Sequence, residues 1–172
     1  MPTETLIRLG GLAAMLAGLL RAIASFLPAS TSPPSAKVEL FYLLIDLLIL
    51  FGLIGIYAHQ HRKVRVTGFL GFLLAVSGAA LIVGPDGKLG EVEIYVVGSM
   101  LITFGLTLFS IASLKAKSLS PVAPLLWLLS TVVGVGGFIL KGPALTLVIA
   151  GLAFGLGFIV AGNEVWKYRS QR

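Results

Sequence analysis

Six long apolar runs, each closed by proline, glycine or clustered charge, set the pattern of this chain. They lie near Leu6 to Leu27, Val38 to Ala58, Val66 to Gly84, Val92 to Leu114, Val122 to Leu140 and Ala144 to Gly162. A crossing needs about 20 apolar residues, so each run is long enough to traverse a bilayer as a helix. The breaks are chemically marked. "PASTSPPSAK" cannot continue a helix past Pro28, Pro33 and Pro34, and "GPDGKLG" is a turn sequence. "SLSP" and "KGP" stop one helix and restart the next through a proline at its beginning. The first run resembles a signal peptide in "LGGLAAMLAGLL", but Arg21 interrupts it ahead of "AIAS" and it reads as a span. The pattern predicts an all-α fold: a polytopic membrane helical bundle of six transmembrane helices arranged as three hairpins, in a single integral domain over 1–172.

A weak internal repeat supports the hairpins. "FGL" recurs at Phe51 to Leu53, Phe104 to Leu106 and Phe154 to Leu156, always late in an even-numbered span and always followed by basic residues. Each hairpin would then enter from the same side, giving parallel repeats rather than the inverted ones on which many alternating-access carriers are built.

Composition agrees with the pattern. The chain is 57% hydrophobic and only 12% charged, against about 25% charged in soluble domains, and its mean hydropathy is +1.01. The net charge of +6 follows membrane topology rather than nucleic acid, because the cations gather at one end of the spans. Arg8, Arg62, Lys63, Arg65, Lys115, Lys117, Lys167, Arg169 and Arg172 fall on one face, and Lys37, Lys88 and Lys141 on the other. The second face is acidic, with Glu39, Asp86, Glu91 and Glu93. By the positive-inside rule both termini are expected in the cytoplasm of a bacterial-type inner membrane.

Two charges inside the spans form the main candidate site. Asp46 lies in "YLLIDLLILFGL", and a carboxylate in hydrocarbon is costly unless something meets it. Arg21 lies roughly 9 Å below the end of the first span and Asp46 about 12 Å below the start of the second, at 1.5 Å per residue. Arg21, Asp46 and Tyr42, one turn above Asp46, are therefore expected to form an intramembrane ion pair or ligand site. A structural ion pair locking the first hairpin is the plainer reading, and a proton, cation or anion site the functional one. Ser99, Thr103, Thr107 and Ser110 add a polar stripe to the fourth span, whose hydroxyls can instead bond back to their own helix.

Glycine supplies helix packing. Small residues four apart at Ala14 and Gly18, Gly151 and Gly155, and Ala153 and Gly157 allow close approach of helices, so Gly151, Gly155 and Gly157 are expected to lie against another helix. In "GNEVWKYRSQR", Trp166 and Tyr168 with neighbouring cations read as an interfacial anchor.

Other chemistry is poorly supplied. The chain has no cysteine, which removes thiolate ligands, disulfides and cysteine nucleophiles. His59 and His61, two apart on a helix, point to different faces with no carboxylate near in sequence, so no metal or cofactor is expected. Ser77-Gly78 in "AVSGAA" has no histidine in a later span to act as base, as nucleophilic catalysis requires.

The stretch "GLTLFSIASLKAKSLSPVAPLLWLLS" through "GLGFIVAGNEVWKYR" resembles small bacterial multi-span integral membrane proteins of unassigned function, over about half the chain. The resemblance implies fold and compartment and carries no functional residue. The expected function is that of a non-enzymatic accessory or assembly subunit. Its partners are membrane lipids, other membrane proteins or a second copy of itself, with no nucleic acid. The alternative is a small transporter or channel with an Arg21/Asp46 site open to the outer side.

Overall fold

The computed structural model describes residues 3–27, 35–83, 88–89 and 91–167. Tyr168, the proline-bearing first connection and most of "GPDGKLG" lie outside the described residues. Six helices carry the fold: α1 (Thr3–Ala24), α2 (Ala36–Gln60), α3 (Arg65–Val83), α4 (Ile94–Ala116), α5 (Val122–Ile139) and α6 (Ala144–Trp166). Between α3 and α4, β1 (Lys88–Leu89) and β2 (Val92–Glu93) form a two-residue antiparallel ladder, with Lys88 opposite Glu93.

All six helices are long and apolar enough to cross a membrane. Only 17% to 39% of each span is buried inside the chain, so the rest needs an apolar solvent. Phe138 is 76% exposed and Leu140 81%, side chains that water would drive into contact and that lipid accommodates without cost. Helices end where sequence chemistry stops them. Pro121, with φ −64°, leads into α5, and Pro124 sits in the first turn, where a missing N–H breaks no helical bond. At the other ends Lys117 and Lys141 adopt left-handed backbone, φ 46° and 47°, and the next amide folds back, Ser118 N to Ser113 O at 3.2 Å and Gly142 N to Gly137 O at 2.8 Å. Lysine costs about 1 kcal/mol more than glycine in that conformation, but its charge sits favourably at the carbonyl end of the helix dipole.

The helices pack in chain order and close on themselves. Each meets the next, and α6 returns to α1. The α1–α6 interface is more extensive than α1–α2 or α5–α6, and α3–α4 is the largest, whereas α2–α3 and α4–α5 are slight. The packing therefore joins α5, α6, α1 and α2 on one side and α3 with α4 on the other. α2 also reaches α6, making a triangle with α1.

The two sides are joined by aromatic rings near the end where α1 begins and α6 finishes, here called the basic end. Tyr57 of α2 stacks on Phe72 of α3 at 4.1 Å between centroids and lies 6.4 Å from Phe109 of α4. Phe109 is 6.4 Å from Trp127 of α5, which meets Phe158 of α6 edge-on at 5.3 Å. Phe109, Trp127 and Phe158 are fully buried. Offset and edge-on ring contacts of this kind contribute about 0.5–1.5 kcal/mol each beyond area burial.

Candidate functional site

The glycines of α6 lie against two neighbours. A Cβ on Gly155 would stand 2.5 Å from Gly18 O and 3.2 Å from Ala22 N of α1, and one on Gly151 would run into the Ser25 hydroxyl. Gly157 faces α5, where a Cβ would stand 2.5 Å from Trp127 Nε1. Near the basic end Gly11 meets Gly162 in the same manner. On its other flank α1 touches α2: Gly10 and Gly55 are reciprocal, each hypothetical Cβ 2.5 Å from the other's Cα, and Gly52 abuts Ala14. Backbones thus come into contact along both sides of α1, which is what small residues at helical spacing permit. Gly71 with Gly105, and Gly78 with Gly98, do the same between α3 and α4.

That packing fixes the depth of Arg21 and Asp46. Extending the register of Gly10 opposite Gly55 and Ala14 opposite Gly52 brings Arg21 level with Ile45, the neighbour of Asp46. The two charges interact electrostatically, yet no salt bridge joins them. Both are half-buried in the chain, as is Tyr42, whose ring packs edge-on against Phe41 at 5.9 Å. The matched depth is present and the direct pairing is not. Ser25 Oγ donates to Arg21 O at 3.0 Å, a bond back to its own helix.

Three hydroxyls of the α4 stripe are occupied in the same way. Ser99, Thr103 and Thr107 donate to carbonyls one turn back at 2.7 to 2.8 Å. Thr107 also meets Thr131 of α5, Oγ1 to Oγ1 at 3.2 Å, and Ser130 donates to Ala150 O of α6 at 2.8 Å. These bonds fasten α5 to its neighbours at mid-depth.

A second polar cluster, absent from the sequence reading, closes the basic end. Gln60 is 1% exposed, and its Oε1 accepts from Ser113 Oγ at 3.0 Å and from Ser118 Oγ. Among the described residues its Nε2 has no hydrogen-bond partner, nor do the buried Ser110 Oγ and Trp127 Nε1. Periodicity could have found Gln60, because Ile49, Leu53 and Ile56 are buried on α2 and the same stripe continues one turn into "HQHRKVR". Glu164 Oε2 accepts from Ser120 N at 2.9 Å, tying α6 to the α4–α5 connection. Arg8 lies 4.8 Å above the Trp166 ring and donates from Nε to Trp166 O at 3.2 Å. Trp166 therefore clamps α1 to α6.

No group of three His, Asp or Glu side chains able to hold a metal occurs among the described residues. His59 is half-buried while His61 is exposed and bonds Ala58 O through Nδ1 at 2.8 Å. What the arrangement can do chemically is hold helices together through hydrogen bonds, rings and backbone contact, and present cations to an anionic surface. Compared with known protein families, curated proteins and solved structures, the chain matches none.

Proposed function

We propose that this integral membrane protein is a non-enzymatic accessory or assembly subunit, working through lipid and protein contacts of its helix faces. Both termini then lie in the cytoplasm, because the cation-rich end is the one retained there. The observation that carries the reading is backbone contact at reciprocal glycine pairs on both flanks of α1 and between α3 and α4. Such interfaces resist sliding and rocking, because a packed interface has discrete arrangements rather than a continuous range. The fastening of the basic end by Gln60, Glu164 and Arg8 adds to this.

The second reading, a small transporter or channel, draws on Arg21 and Asp46, which stand level and sense one another without a salt bridge. Reconstitution into liposomes with a pH- or Na⁺-reporting dye separates the two. An accessory subunit leaves an imposed gradient intact and runs as a fixed-ratio complex with a partner or a second copy after mild extraction. A flux abolished by Asp46→Asn would replace the first reading with the second.

A further inference from the structure

A cleft of about 510 Å³ opens at the basic end between the start of α3 and the end of α4. Its lining carries three cations, Lys63, Arg65 and Lys115, with the Thr67 hydroxyl and no carboxylate. None of the three cations has a salt-bridge partner among the described residues, and Thr67 Oγ1 has no hydrogen bond there. Room exists because the α4 wall is built of Ala112 and Ala116, one turn apart.

The amides reinforce the cations. The first helical bond of α3 runs from Gly68 N to Val64 O at 3.0 Å, so the amides of Arg65, Val66 and Thr67 stand ahead of any helical acceptor. The α3 dipole contributes roughly half a positive charge there, and the carbonyl end of α4 about half a negative one. Those fractions cancel and the three full charges remain. Arg65 holds a left-handed φ of 52°, a costly conformation for a non-glycine residue.

We infer that this cleft binds the phosphate of an anionic phospholipid, with Lys63, Arg65 and Lys115 around the phosphate and the Thr67 hydroxyl donating to it. The charges are complementary, the position is where the helices leave the apolar zone, and Leu70 and Ile111, one turn from Thr67 and Lys115 toward the apolar zone, are exposed to meet the acyl chains. The inference rests on the proposal that the chain works through lipid and protein contacts, and adds the class of lipid and its site.

Native mass spectrometry of the full chain in neutral detergent tests it, with phosphatidylglycerol, phosphatidylcholine or inorganic phosphate added at equal concentration. Expected is a one-to-one adduct with phosphatidylglycerol only. At about 1 kcal/mol per cation near a membrane surface, K63Q/R65Q/K115Q weakens it on the order of a hundredfold. The control K37Q/K88Q/K141Q removes the same charge from the opposite end and keeps the adduct. Ala116→Trp keeps every cation but fills the cleft, and also loses it. Melting curves in phosphatidylcholine nanodiscs confirm that each variant is folded. Equal loss in the control, full binding by Ala116→Trp, or saturation by inorganic phosphate would overturn the proposal. Ion flux in the liposome assay would remove the accessory-subunit reading and leave a positive lipid result standing.

Discussion

Replacing Gly155 by alanine adds one methyl group where α6 meets α1. That carbon would stand 2.5 Å from Gly18 O, against an ordinary C···O separation of about 3.3 Å or more. The obstacle is a backbone carbonyl, which no rotamer change can move, so the helices must part by roughly 0.8 Å at this level. A gap of 0.5–1 Å forfeits a quarter to a half of each contact's well depth, and each contact is worth about 0.1–0.2 kcal/mol. With on the order of 20–30 atom pairs across the surrounding turns, the loss is about 1–2 kcal/mol, within the usual range for overpacking. The helix propensity gained by alanine, about 1 kcal/mol in water, offsets little of it, because a span stays helical in lipid even when its tertiary contacts are broken. Gly136→Ala is the matched control: among the described residues nothing lies within 4 Å of the added Cβ, and the variant is expected within about 0.5 kcal/mol of the parent. The assay is reversible unfolding in mixed micelles with increasing sodium dodecyl sulfate, followed by tryptophan fluorescence. Coincident transitions for Gly155→Ala and Gly136→Ala would refute the reasoning, since two glycines differing in what they touch would then behave alike.

Gln60→Leu removes an unpartnered amide nitrogen and leaves Ser113 with its bond to Phe109 O at 2.8 Å, but leaves Ser118 Oγ only the long contact to Ser113 O at 3.5 Å, so it should cost about 1–2 kcal/mol in the same assay. Gln60→Glu puts a charge in that closed site and should cost several kcal/mol at neutral pH, recovering in acid as the carboxyl protonates. Asp46→Asn removes a half-buried carboxylate that makes no salt bridge among the described residues and should leave stability unchanged or raised; a loss above about 1 kcal/mol would mean that the carboxylate is directly paired. For topology, single cysteines at Lys88 and Lys117 in this cysteine-free chain should label with an impermeant maleimide from outside and inside intact cells respectively. Labelling of both from one side would contradict the expected orientation.

Hydropathy and proline made the helices legible, because a bilayer demands the same apolar length wherever a chain crosses it. The ends were less so. α6 runs on past Gly162 through Asn163 and Glu164 to Trp166, since polar residues carry little penalty once a helix reaches the interface. Glycine spacing marked α6 as a packing helix, but the choice of α1 for Gly155 and α5 for Gly157 depends on ring closure by α6 and α1, at opposite ends of the sequence. Matched depth brought Arg21 and Asp46 to one level, yet depth says nothing of lateral reach, and the salt bridge is absent. Gln60 is hidden in the sequence by the histidines and cations that surround it, and its partners Ser113 and Ser118 lie 53 and 58 residues away.

A packed, non-conducting bundle, as the proposed function requires, gives water no route to Asp46. Reaction of Asp46→Cys in proteoliposomes with a charged methanethiosulfonate, which modifies thiols only in water, tests it most directly. The expected rate is at least a hundredfold below that of Lys88→Cys, on the order of the partition penalty for bringing a charge into hydrocarbon. Rates within a few-fold of each other would mean that Asp46 lines an aqueous vestibule, and the transporter reading would take its place.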